Sequence, residues 1–135
     1  MQTREDIESF FIRMGIEAEE VEEGMWLLPG EDGGPGVVVH YSPPVVVLRL
    51  KVMNLPKNVD NRDLADLYRQ LLQLNATDIV HGSYGLEEGD VVLSDALELE
   101  TLDFGELRSS YESLVFAASS HLQGLADLVP EVQEG

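Results

Sequence analysis

LLQLNATDIVHGSYGLEEGDVVLSDALELETLDFGEL, residues 71 to 107, contains a helix end, a hairpin and a helix start, each with its own punctuation. Leu71, Leu72 and Leu74 close a helical pattern at Asn75, a residue type that tolerates the left-handed backbone common at helix C-termini. Residues 79–84 read as a strand, residues 85–89 as a polar turn, and residues 91–99 as a strand with apolar side chains at the alternating positions Val91, Leu93, Leu97 and Leu99. Two strands so joined pair antiparallel. Asp103 followed three residues later by Glu106 spells a capping box, with Leu102 and Leu107 placed as a hydrophobic staple, so a long helix starts at Phe104.

Working outward, the final helix runs from Phe104 toward Leu128 with Leu107, Tyr111, Leu114, Val115, Ala118, Leu122 and Leu125 on one side. Pro130 ends it, and residues 130–135 are expected to fray. Upstream of Leu71, Asp60 caps a helix whose stripe is Leu64, Leu67, Tyr68, Leu71 and Leu72. Before it lie two β-branched runs, residues 37–41 and 45–53, joined by Ser42-Pro43-Pro44. In the longer run one face carries Val46, Leu48, Leu50 and Val52, and the other carries Val45, Val47, Arg49, Lys51 and Met53. Its first half is therefore apolar on both faces, which calls either for a covering helix or for a partner. Residues 25–28, with the single tryptophan Trp26, form a short strand ahead of the turn-rich loop Gly30 to Gly36. Thr3 with Asp6 caps a first helix carrying Ile7, Phe10, Phe11 and Met14 on one stripe and ending at Gly15; the glutamate-rich residues 17–23 read as a solvated connection. The expected order is α-β-β-β-α-β-β-α, an α+β domain spanning residues 1–135 with an antiparallel sheet packed by helices.

Composition narrows the function. The 135 residues carry 26 acidic and 8 basic side chains, a formal net charge of -18, which speaks against nucleic acid and against an anionic membrane surface. The charge is uneven: residues 1–32 have a net -8, residues 33–77 a net +2 and residues 78–135 a net -12. The absence of cysteine removes thiol nucleophiles, disulfides and thiolate metal sites. MQTREDIESF lacks the basic start of a signal peptide, and no run approaches the ~20 apolar residues of a membrane span, so a cytoplasmic location is expected.

No catalytic residues and no cofactor emerge. His40, His81 and His121 lack the local pairing usual in zinc sites, so no metal ligands are assigned. Ser83 lacks the glycine two residues before it that a nucleophile elbow needs, and the element that follows is a strand where the elbow requires a helix. Glu87-Glu88-Gly89-Asp90 lacks the alternating ligands of a calcium loop. The loop Gly30 to Gly36 lacks the Lys-Ser/Thr ending of a phosphate-binding loop. What remains is a non-enzymatic binding protein, with a small-ligand or metal-binding protein using its acidic surface as the alternative.

The words Leu-Leu-x-Leu-Asn, Gly-x-Tyr-Gly-Leu, Asp-Val-Val-Leu and Leu-Asp-x-x-Glu-Leu, in this order and spacing, resemble the YbjN-like and Tir-chaperone-like (CesT-like) families, which share the type III secretion chaperone fold. The resemblance implies a curved antiparallel sheet and a small acidic homodimer that binds a client or partner protein, with a regulatory role in some relatives. It places Leu64, Leu67, Tyr68 and Leu71 toward a dimer axis, and Val45 and Val47 in contact with the client. The near-neutral middle of the chain agrees with self-association there, because it brings together the least repulsive parts of two acidic chains.

Overall fold

The helices begin where side-chain caps satisfy their first free amides. In a computed structural model, which describes residues 1–130, α1 (Arg4–Met14) starts at Thr3. The Thr3 amide donates to the Asp6 carboxylate at 2.8 Å and the Asp6 amide donates to the Thr3 hydroxyl at 3.2 Å, a complete capping box. The bond from the Thr3 amide, then that from its hydroxyl, holds the Asp6 carboxyl below its ordinary range. Gly15 closes α1 with a φ of 75°, the left-handed conformation that glycine adopts at little cost. Asp60 caps α2 (Asn61–Thr77) by accepting from the Arg62 amide at 2.9 Å. Asp103 caps α3 (Phe104–Leu128) by accepting from the Glu106 amide at 2.7 Å, with Leu102 and Leu107 both buried beside it.

Six strands, β1 (Glu19–Glu22), β2 (Met25–Leu28), β3 (Val37–Ser42), β4 (Val45–Asn54), β5 (Ser83–Glu87) and β6 (Asp90–Glu98), make one antiparallel sheet in the order β1-β2-β3-β4-β6-β5. Short connections fold β1 to β4 into a meander. α2 then carries the chain to the far edge, where β5 lies, and the turn at Glu88-Gly89 returns β6 to pair with β4. Both turn residues have positive φ, 49° and 83°, which matches the twist of a tight hairpin.

The architecture is the expected α+β arrangement, with local differences. β1 falls within the segment read as a solvated connection. It is an edge strand with all four side chains exposed, so it is defined by backbone pairing with β2 and leaves no hydrophobic period to read. Its glutamates and the irregularity between Glu20 and Glu22 discourage further strand pairing. β5 begins at Ser83 instead of residue 79. α2 runs two residues beyond Asn75, and the Ile79 amide donates to the Leu74 carbonyl at 3.1 Å, so the segment after the helix folds back onto its end. The tail expectation for residues 131–135 lies outside the described residues.

All three helices cover the same face of the sheet. Phe11 of α1 meets Trp26 of β2 edge-on, with ring centroids 5.5 Å apart. The hydroxyl of Ser110, buried on α3, donates to the Asp95 carboxylate of β6 at 2.8 Å. The Asn75 side chain of α2 bonds the Tyr84 backbone of β5. Cross-strand register puts Trp26, Asp95 and Tyr84 on one face, together with Val46, Leu48 and Leu50 of β4, which are fully buried. Leu107, Leu114 and Leu125 of α3 complete this core.

Candidate protein-binding surfaces

Because every helix sits on one side, the other side of the sheet is open. Val45 and Val47 lie there, half-exposed. Register extends their row: Met25, His40, Val47 and Ala96 stand side by side across β2, β3, β4 and β6. The next row holds Leu27, Val38, Arg49 and Ser94. Of the two explanations for a doubly apolar β4, no covering helix is present among the described residues, and five half-exposed apolar side chains, Met25, Leu27, Val38, Val45 and Val47, share this surface. Its margin is mixed in charge, with Glu19 beside Leu27, Glu98 beside Val45, and Arg49 and Lys51 further along β4. Arg49 pairs with Glu87 at 3.2 Å, both half in solvent, and Lys51 has no carboxylate within 4.0 Å among the described residues. An exposed ion pair of this kind contributes little stability, so Arg49 is available for exchange with a partner's carboxylate.

A second exposed surface is formed by α2 and the edge of the sheet. Leu67 and Leu71 point inward, 0% and 5% exposed, because they lie on the stripe of α2 that meets α3 and β5. They are core residues, and in this conformation they have no surface to offer a partner. Leu64 is half-buried at the margin, whereas Tyr68 and Leu72 face outward, 37% and 69% exposed. With Leu86 of β5 they frame a shallow apolar groove of about 180 Å³ floored by Leu71 and Tyr84. Of the four residues expected at a dimer axis, Tyr68 lies on this outer side, and Leu64 is half-buried against the core.

Below that groove a polar chain ties three elements together. The Tyr84 amide donates to Asn75 Oδ1 at 2.6 Å, and Asn75 Nδ2 donates to the Tyr84 carbonyl at 3.3 Å. One side chain thus occupies the two backbone groups that a further strand would use, and it closes the β5 edge at that point. The Tyr84 hydroxyl shares a 2.7 Å hydrogen bond with His121 Nδ1 of α3, and His121 Nε2 lies 3.3 Å from the Asp78 carboxylate at the end of α2. Burial, then the negative charge of Asp78, pushes the Tyr84 phenol well above its ordinary value. A phenol so held stays protonated near neutrality and ties β5 to α3 as a hydrogen-bonding group. No spacing rule could have found it, because its members are brought together by the packing of three elements.

His40 is exposed on the open sheet face, and His81 lies in the bend between Asp78 and Tyr84. Among the described residues no three His, Asp or Glu side chains come close enough to hold a metal ion, and no helix is long and apolar enough to cross a membrane.

Comparison with known proteins agrees with this geometry. The CesT_Tir_1 family model matches residues 1–131. No curated protein matches the sequence. Among solved structures the chain is similar to one in the heterodimeric ExoU–SpcU complex of the Pseudomonas aeruginosa type III secretion system, at 17% identity, covering 88% of this chain and 96% of that one with a TM-score of 0.68. It is similar to YbjN from E. coli at 12% identity, covering 95% and 94%, with a TM-score of 0.65. It also resembles the structure of the Yersinia pestis type III secretion chaperone SycH in complex with a fragment of YscM2, at 21% identity, covering 87% and 98%, with a TM-score of 0.61. The fold is that of type III secretion chaperones, and the chain belongs to the CesT_Tir_1 family.

Proposed function

We propose that this chain is a non-enzymatic protein-binding module. It works as a homodimer and holds a segment of a client or partner protein on its open sheet face, in a chaperone or regulatory role. The observation that carries the reading is the uncovered sheet face: Met25 and Leu27 of β2, Val38 of β3 and Val45 and Val47 of β4 share it, interspersed with His40 and Arg49, and no helix among the described residues lies over them. A monomeric soluble domain seldom leaves such a contiguous surface without a use for it. Val45 and Val47 are assigned as its client contacts, and Arg49 and Lys51 further along β4 favour acidic side chains in the bound segment. SycH, which shares the fold, was solved in complex with a fragment of YscM2, and that likeness supports the same class of role here.

Pairing between copies is assigned to Tyr68, Leu72 and Leu86, with Leu64 at the rim and with Leu67 and Leu71 supporting the helix from beneath. The α2 residues of this set belong to the part of the chain with a net +2, where two acidic copies repel least, while Leu86 lies in the acidic segment that follows. Leu72→Asp is expected to give a folded monomer. Sedimentation equilibrium at tens of micromolar reads this, since a dimer's population depends on concentration, and a wild type already monomeric under those conditions would sink the assignment.

The client surface is tested by affinity capture from the native lysate on wild-type and Val45→Asp/Val47→Asp protein in parallel, with mass spectrometry of the bound fractions. Proteins held by the wild type are expected to be lost from the variant, which keeps its circular dichroism because neither valine is in the core. Identical bound sets would show that the sheet face is not the client site.

A further inference from the structure

We propose that a groove between the C-terminal end of α1 and the outward side of α3 is a separate docking surface for a partner protein. Its occupant is a peptide segment in which an acidic and a large apolar side chain are about four residues apart. The groove has a volume of about 440 Å³, and its apolar walls are Met14, Ile16, Val115 and Phe116. Phe116 is 74% exposed, a large aromatic left in water on a helix whose other side is wholly in the core.

The polar groups along the groove change sign in order. Near the start of α3, the guanidinium carbons of Arg13 and Arg108 lie 3.9 Å and 5.4 Å from the centroid of one ring, Phe104. Neither has a carboxylate within 4.0 Å among the described residues, in a chain with 26 acidic side chains. Two cations set on one ring repel each other, and an anionic group bound at Arg108, the one of the two that lines the groove, relieves that repulsion with charge-assisted hydrogen bonds. One turn along α3, the Tyr111 phenol is pushed up by burial and then by the charges of Glu31 and Glu112, which marks a negative middle. One further turn brings Val115 and Phe116.

The spacing follows from helix geometry. Arg108 and Phe116 are about 12 Å apart along the axis at 1.5 Å per residue. An extended segment covers that distance in about four residues. The matching segment therefore carries an acidic residue, then a basic residue or hydrogen-bond donor, then an apolar residue. The chain's overall charge of -18 does not forbid an acidic group here, because screening at physiological salt limits its reach to about 8 Å. On the near wall a Cβ on Gly30 would run into the Gly34 carbonyl, so only glycine fits that position of the loop beside Glu31. The groove lies on the helix-covered side of the sheet, opposite Val45 and Val47, and does not depend on the client site assigned there.

The probes are the fluorescein-labelled peptide Gly-Ser-Asp-Ser-Lys-Ser-Leu-Ser-Gly and its reversed sequence, titrated against the full chain by fluorescence anisotropy. One of the two is expected to bind about tenfold more tightly than its counterparts with Leu replaced by Ser or with Asp and Lys exchanged. Phe116→Ser is expected to weaken that peptide by about tenfold. Arg108→Glu is expected to reverse the preference between the parent and the charge-exchanged peptide, which loss of folding cannot mimic. Val47→Asp is expected to leave the affinity unchanged. Equal binding of all the peptides, an unreversed preference in Arg108→Glu, or loss in Val47→Asp would each overturn the proposal. A change in the sedimentation of Phe116→Ser would overturn it in favour of a second copy of this chain as the occupant.

Discussion

Leu67→Asp is expected to unfold the chain, whereas Leu72→Asp on the same helix leaves it folded. Leu67 is 0% exposed and sits between α3 and the sheet, in surroundings that offer no partner for a carboxylate. Placing an acid there removes the burial of a leucine, roughly 2–5 kcal/mol on truncation alone. It also adds the cost of either desolvating the charge or holding the acid protonated. A domain of this size is stable by only about 5–15 kcal/mol, so the sum is enough to abolish folding. Circular dichroism melts of the two variants read this directly: a cooperative transition in Leu67→Asp near that of the wild type would refute the core assignment. The contrast also separates two roles that one hydrophobic stripe in the sequence merges. The inward side of α2 is needed for the domain to exist, and the outward side is free to meet another chain.

Asn75→Ala is expected to destabilise the domain by about 2–4 kcal/mol, a large effect for a polar side chain. The substitution removes two hydrogen bonds at once and leaves the amide and carbonyl of Tyr84 without partners. Tyr84 is itself buried, and its hydroxyl holds His121, so loosening β5 also strains the link to α3. Asn75→Asp keeps the acceptor and loses the donor, and it is expected to fall between the wild type and Asn75→Ala. Urea denaturation gives the two differences. A loss below about 0.5 kcal/mol in Asn75→Ala would mean that water replaces the amide without cost. Hydrogen exchange at the Tyr84 amide should accelerate in step with the loss. The unblocked edge of β5 would also become open to a further strand, so faster aggregation is expected to accompany the loss of stability.

Much of the fold was legible because it is written in local chemistry. Thr3, Asp60 and Asp103 announce the three helices, since a short polar side chain before an apolar period has a specific use in capping the first free amides. The alternation along β4 announced a strand with two apolar faces near its start. The position of the hairpin after α2 followed from its turn residues, although its first strand begins later than the apolar run suggested, because Ile79 folds back to the helix end. β1 was not legible, for its four exposed residues contribute only backbone pairing.

The candidate surfaces divide in the same way. Periodicity picked out Val45 and Val47 as needing cover, and resemblance assigned them to a client. It could not say whether a helix covers them, because that depends on which face of the sheet three distant helices choose. On α2 the period collected Leu64, Leu67, Tyr68, Leu71 and Leu72 into one stripe. A helix wedged between α3 and a sheet edge buries only part of that arc, so the inward and outward leucines separate only after packing. The chain of Asn75, Tyr84, His121 and Asp78, and the pairing of Arg13 and Arg108 on Phe104, are tertiary throughout. By itself the sequence determined where each element starts and which face of it is apolar, since caps and periods act within a few residues. Only the tertiary structure decided which apolar faces are covered and which polar groups meet, since both depend on how elements far apart in the chain come together.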